Sequence, residues 1–313
     1  MKRAWTGFIL VALIATGCRK EPAPDGNEPV TMVPGFHDET LVVEGTPRNF
    51  RYYIPDSFST RRPIRLTFLL HGLTWTGPDV LGTYIDLLAP EASLCNSLII
   101  APTALYGHWN DRMGGSFPAT DTVDDVKFIQ SIADHFTAIN PACDSSYCII
   151  GISNGAMMAY RMACDLPEKI RGIAPFIAMQ GVEAASTTRS SHPVPVFITN
   201  GTRDPVMKWD GGLVSTETVP LLGVLLSNEE NILYWIQRNQ ADPTPEVDSL
   251  PDYCHGDSSR VVTCTYHGAA AVVFNKVVGG GHFIPKYSTL PVVPGYNCDF
   301  ESMVEAFRFL HRL

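Results

Sequence analysis

The pentapeptide Gly151-Ile152-Ser153-Asn154-Gly155 carries the strongest chemical signal in the sequence. It is a Gly-x-Ser-x-Gly turn, preceded by the apolar run Tyr147-Cys148-Ile149-Ile150 and followed by the helix-prone Ala156-Met157-Met158-Ala159-Tyr160. A strand that turns abruptly into a helix projects a serine hydroxyl from the sheet edge, and flanking glycines let the two elements approach. The helix start behind Ser153 also favours negative charge developing there. Residues of these types in this order point to a nucleophilic serine, and so to acyl transfer through a covalent intermediate.

A serine hydroxyl needs a base, and the base needs an orienting acid. Val278-Gly279-Gly280-Gly281-His282 supplies an imidazole on a glycine loop, after the last strand-like run and ahead of the last helix-like one. That glycine run lacks the Lys-Ser/Thr ending of a phosphate-binding loop. The acid is expected at Asp204, in the loop Asn200-Gly201-Thr202-Arg203-Asp204 that leaves the strand-like Val194 to Thr199. Active-site groups of open α/β sheets gather at such carboxyl ends. Asp210, Asp242 and Asp252 also fit the chain order serine, acid, histidine, and a turn cap before Pro205 is the alternative role for Asp204. An oxyanion needs two fixed N–H donors. One is expected from the backbone of Asn154, the other from Leu73 after His71-Gly72, with Thr74 as the alternative. His71 itself reads as a residue that shapes this loop.

The elements that would hold these groups alternate between strand and helix patterns, which predicts an α/β fold: a mostly parallel sheet with helices on both faces. Strands are predicted at 48–54, 64–70, 97–101, 147–151, 170–177, 194–199 and 272–278. Val123, Val126, Ile129, Ile132, Ala133 and Phe136 recur at helical spacing, with Thr122 and Asp125 offering a capping-box start. Helices are also predicted over 154–164 and 300–310, the second amphipathic. There is no internal repeat, so residues 36–313 read as one catalytic domain.

Composition agrees. The chain has 313 residues, 45% of them hydrophobic and 18% charged, which excludes a mainly disordered or fibrous protein. A formal charge of −9, with no Lys- or Arg-rich run, argues against nucleic acid as a partner. No CxxC or His-x-x-x-His spacing suggests a metal site. Lys2 and Arg3 followed by uncharged Ala4 to Thr16 read as a signal segment over 1–17, too short for a stable membrane span. Ile14-Ala15-Thr16-Gly17-Cys18 resembles a bacterial lipobox, in which Cys18 would be acylated and anchor the chain to a membrane, although the usual leucine is Ala15. The Pro-rich, polar stretch that follows, to about residue 35, reads as a flexible tether. The expected location is a bacterial envelope lipoprotein, or else a secreted protein. Seven further cysteines in an exported chain allow up to three disulfides, and Cys254 and Cys264, flanking a turn-like stretch, are candidates to staple a hairpin.

Taken together, these motifs resemble those of the secreted polyhydroxybutyrate depolymerase and feruloyl esterase group, similar to carbohydrate esterase family 1, over roughly residues 48 to 312. The residues that carry the resemblance are Leu70-His71-Gly72, Trp109-Asn110, Val123 to Val126, Gly151 to Met158, Gly201 to Asp204, and Gly279 to His282. Ala156 replaces the family's second glycine. The family's cysteine and tryptophan on either side of Trp-Asn are His108 and Asp111 here, and its Trp-Pro-Gly after the histidine is Phe283-Ile284-Pro285-Lys286. The resemblance implies an α/β-hydrolase fold and a cofactor-free serine esterase with a Ser153–Asp204–His282 triad. Its substrates would be small or oligomeric hydroxyalkanoate esters, or feruloyl and acetyl esters of polysaccharides. Trp109 is the candidate substrate contact, with core packing as its alternative. Asp124 and Asp125, on a first helical turn, read as caps. A surface lipoprotein that keeps the fold without catalysis, and binds polysaccharide or a protein, is the competing reading; a peptide hydrolase is a weaker one.

Overall fold

Strands that are apolar on both faces need cover on both. The computed structural model describes residues 32–113, 122–187, 192–215, 223–286 and 294–312. The expected signal segment, Cys18 and most of the tether lie outside these residues; Gly35 already opens the first strand.

In chain order the elements begin with β1 (Gly35–Val43), β2 (Thr46–Ile54), β3 (Arg65–Leu70), α1 (Gly77–Cys95), β4 (Ser97–Pro102), α2 (Asp125–Ile139), β5 (Tyr147–Ile152) and α3 (Asn154–Asp165). They continue with β6 (Ile170–Phe176), α4 (Val182–Thr187), β7 (Val196–Gly201), β8 (Gly212–Val214), β9 (Gly223–Leu225) and α5 (Asn228–Arg238). The chain closes with β10 (Glu246–Ser249), β11 (Arg260–Tyr266), β12 (Val272–Val278) and α6 (Ser302–His311). Among the described residues, ten strands form one sheet in the order β1-β2-β4-β3-β5-β6-β7-β12-β11-β10. The run from β4 to β12 is parallel, and both margins are antiparallel. This is the mostly parallel sheet that the alternating pattern predicts.

The period of two sorts the core. Leu66, Phe68 and Leu70 of β3 and Tyr147 and Ile149 of β5 join Phe128 and Phe136 of α2, Met158 of α3 and Trp235 of α5 on one face. Leu69, Cys148, Ile150 and Ile152 meet Leu81 and Leu88 of α1 and Met303 and Phe307 of α6 on the other. Each of these buried side chains contributes on the order of 2 kcal/mol by leaving water.

Two local expectations are corrected. The cap of α2 is Asp124, whose carboxylate accepts the Lys127 N–H at 2.9 Å, rather than a Thr122–Asp125 box. Asp125 does not cap. It is fully buried, where it meets the Arg48 guanidinium at 2.6 Å and accepts the Asn110 N–H at 2.8 Å. A carboxylate that can pair inward with a cation does so instead of satisfying an exposed helix end, and removing one partner of such a pair costs about 3–5 kcal/mol. The second correction concerns cysteine. Cys254 bonds Cys298, while Cys264 stays a thiol inside β11, paired in register with Val247 and Phe274. The hairpin of β10 and β11 is closed by its backbone ladder. The disulfide instead ties two segments 44 residues apart, which stabilises by about 4 kcal/mol on loop-closure grounds.

Candidate active site

Four parallel strands, β3, β5, β7 and β12, release their carboxyl ends toward one place. From β5 the chain turns into α3 through Ser153, at φ 53° and ψ −117°, a strained conformation for a residue with a Cβ. Tight packing imposes that turn: a Cβ at Gly151 would run into the Gly155 carbonyl, and one at Gly155 into the carbonyls of Leu70 and His71. The Ser153 N–H donates to the Phe176 carbonyl at 3.0 Å, which fixes the backbone, and its hydroxyl makes no capping bond to α3. The hydroxyl is therefore left for chemistry.

His282 Nε2 lies 3.3 Å from Ser153 Oγ, and Nδ1 lies 2.7 Å from Asp204 Oδ2. The glycines of the histidine loop are bonded directly to the acid loop: Gly279 N–H donates to Thr202 Oγ1 at 2.9 Å, and Arg203 N–H to the Gly280 carbonyl at 2.8 Å. Asp204 is buried, and its Oδ1 accepts the Val206 and Met207 N–H groups, both at 2.8 Å. It thus makes the turn-capping bonds and faces the histidine at once. Asp210 lies six positions on and is exposed. In geometry, then, serine, histidine and Asp204 form one hydrogen-bonded chain.

Leu73 and Asn154 both line the cavity beside Ser153, and the backbone N–H of neither has a backbone acceptor among the described residues. The alternative donor, Thr74, is already bonded to the Gly107 carbonyl at 2.9 Å. His71 is fully buried and braces this loop. Its Nδ1 donates to the Gly72 carbonyl at 2.7 Å, and its Nε2 accepts the Ala104 N–H at 3.0 Å.

Trp109 is not a substrate contact. It is fully buried, its indole N–H donates to the His71 carbonyl at 3.0 Å, and it does not border the cavity. A ring of that size beneath the loop is worth more as packing than at a surface. The Asn154 side chain accepts the Trp109 backbone N–H at 2.8 Å and donates to Asp111 Oδ2 at 2.6 Å, while Arg161 donates to the Asn110 carbonyl. The Trp-Asn motif is thereby framework that holds one wall.

That wall belongs to a cavity of about 400 Å³ bordered by Ser153 and His282. Asp111, which stands where the resembling family carries tryptophan, lines it, while sequence reasoning assigned no role to Met113, Met157, Ile177 and Met207. Ile177, at φ 51°, is a β-branched residue in a costly conformation, for which the sequence gives no signal. Asp111 does carry one: an acidic residue at the position where the resembling family has a tryptophan. Burial pushes its carboxyl up to about 7, against the opposing pull of the Met113 and Asn154 hydrogen bonds.

Burial acts on imidazoles in the opposite sense. It holds His71 and His108 down to about 4 and His311, with Arg65 and Arg171 nearby, to about 3. These three rings are neutral in the fold and charge more readily once unfolded. Their contribution is complete above the unfolded histidine value of about 6.5 and is lost as pH falls toward 4, at a few kcal/mol each. Asp111 runs the other way, its contribution falling as pH rises from about 4 to 7, but it is one group against three. The urea unfolding midpoint is therefore expected to drop clearly between pH 7.5 and 4.5. A midpoint that stays level would refute the burial of neutral histidines.

No protein-family model matches the chain. Named relatives do. It is 28% identical over 177 residues to "Putative esterase NocK" of Nocardia uniformis subsp. tsuyamanensis, covering 54% of this chain and 51% of that one. It is 24% identical over 210 residues to "Feruloyl esterase D" of Neurospora crassa, covering 64% of each. The chain thus spans about half to two thirds of the length of these curated relatives. The fold superposes on the acetyl xylan esterase from Aspergillus awamori with a TM-score of 0.54 at 16% identity, over 79% of this chain and 94% of that one. That likeness gives the α/β-hydrolase fold, and in sequence the chain is similar to proteins named as feruloyl esterases.

Proposed function

We propose that the protein is a serine carboxylic-ester hydrolase that works through an acyl-serine. The observation that carries this reading is the hydrogen-bonded chain from Ser153 through His282 to Asp204 at the edge of the cavity. Ser153 Oγ attacks the ester carbonyl while His282 Nε2 takes its proton, and the Leu73 and Asn154 amides hold the oxyanion. His282 then gives that proton to the departing alcohol. A water molecule, deprotonated by the same nitrogen, releases the acid and restores the serine. Asp204 accepts a hydrogen bond from the Nδ1–H throughout and stabilises the imidazolium.

Feruloyl or acetyl esters of polysaccharides are the substrates best supported, since relatives are named feruloyl esterases and the scaffold is shared with an acetyl xylan esterase. Hydroxyalkanoate oligomers are the other class within the same chemistry. Purified protein is expected to hydrolyse nitrophenyl butyrate, and a product screen with methyl ferulate, acetylated xylan and hydroxybutyrate oligomers ranks the natural classes. Failure to cleave any of these esters overturns the reading.

The same proposal extends to location: an exported enzyme anchored by acyl chains on Cys18. The signal-like start and the Cys254–Cys298 disulfide support export, and two or more chains are needed for a stable anchor. Mass spectrometry of the mature protein should find a lipid-bearing N-terminal Cys18; an unmodified terminus there refutes the anchor.

A further inference from the structure

The cavity has two unlike ends. One is open, rimmed by Trp75 and Phe283 at 39% and 47% exposure. The other is closed by Met113, Met157 and Met207, all buried, and Asp111 is set into this apolar wall at 4% exposure. If the site cleaves esters as proposed, the alcohol must leave toward solvent as first product, so the open end is its exit. The acyl group then occupies the closed end, against Asp111.

A carboxyl among methionines costs several kcal/mol relative to an apolar side chain of the same shape. Oδ2 accepts the Asn154 side-chain N–H at 2.6 Å, Oδ1 accepts the Met113 backbone N–H at 2.9 Å, and the residue's own backbone N–H also acts on the carboxylate. A carboxylate has about four acceptor positions, so these three bonds leave one on a residue that lines the cavity. Among the described residues no cation pairs with it: Arg161, the nearest charge to act on it, bonds Asp165 and the Asn110 carbonyl instead. We infer that Asp111 is a specificity residue that accepts a hydrogen bond from a hydroxyl on the acyl group, selecting hydroxylated acids over their unhydroxylated counterparts.

A polar group built into a pocket to receive a hydroxyl rejects the analogue that lacks it more strongly than an apolar pocket rejects an extra one. The test uses matched esters that differ by one hydroxyl: methyl 4-hydroxycinnamate against methyl cinnamate, and methyl 3-hydroxybutyrate against methyl butyrate. Wild-type kcat/KM is expected to favour the hydroxylated member of at least one pair by about tenfold or more. Asp111→Ala should bring that ratio close to one. Asp111→Asn, which keeps the volume and removes part of the acceptor capacity, should lower it severalfold. A merely structural Asp111 would depress both members equally and leave the ratio alone. A wild-type ratio within about twofold in both pairs, or a ratio unchanged in both variants, overturns the inference. Nitrophenyl butyrate hydrolysis is followed alongside. If the wild type cleaves none of these esters, the esterase reading itself is lost; if it cleaves them without a hydroxyl preference, only the role of Asp111 is.

Discussion

Ser153→Ala is expected to abolish ester hydrolysis, by on the order of a millionfold in turnover, while the protein stays folded. The size of the effect follows from the attack geometry: with no Oγ, His282 Nε2 has nothing to activate at the cavity that Leu73 and Asn154 line. The fold should survive because the hydroxyl does not cap α3, and the turn is held by the Ser153 N–H bond to Phe176 and by the glycine contacts beneath it. Single-turnover assays and a thermal melt read the two halves separately. A variant that keeps more than a trace of activity, once contamination is excluded, removes Ser153 from the mechanism.

Asp204→Asn should cut turnover by roughly ten-thousandfold, and Asp210→Asn should change little. The carboxylate uses Oδ1 for the Val206 and Met207 amides and Oδ2 for His282. An asparagine keeps its oxygen on those two amides and turns its NH₂ toward Nδ1. The ring must then accept there and carry its proton on Nε2, facing Ser153, which is the wrong tautomer for a base. Asp210 is exposed, in a turn beyond the cavity, and has no such hold. Equal losses in the two variants, or a loss confined to Asp210→Asn, would contradict the assignment of the acid.

The groups that are legible in the sequence share one property: local chain constraints determine them. A serine between glycines, an acid one short loop past a strand, and a histidine on glycines after the last strand all read directly because the backbone alone positions them. So do the parallel core strands, whose apolar runs are continuous. Helix α1 is not legible, since Gly82 and Pro90 interrupt its pattern and its burial is decided by contact with α6 and the sheet. Strand β1 escapes for the opposite reason: at the sheet margin most of its residues alternate between exposed and half-buried, and the half-buried positions include His37 and Glu39 while Phe36 and Val42 are exposed. Asp125 and Trp109 mislead because their partners, Arg48 and the His71 carbonyl, lie 77 and 38 positions away. Type and spacing cannot report a partner at that distance. The Cys254–Cys298 bond belongs to the same class, as three-dimensional closeness selects it over a cysteine nearer in sequence.

The bracing of the 108–111 segment has a consequence for how substrate range can change. Trp109 is packed on His71, Asn110 is held by Arg161 and Asp125, and Asp111 and the Trp109 backbone are held by Asn154, the neighbour of the nucleophile. A new side chain at Trp109 or Asn110 would disturb the serine's own surroundings and, for the tryptophan, cost about 3–5 kcal/mol in the core. The rim at Phe283 is under no such tie: half-exposed and set edge-on against Tyr296, it can be replaced at a cost of a few tenths of a kcal/mol. Diversification of this protein, by drift or by an engineer's library, is therefore channelled to the cavity mouth at Phe283, while the wall built by the 108–111 segment can be altered only by disturbing the surroundings of Ser153 with it.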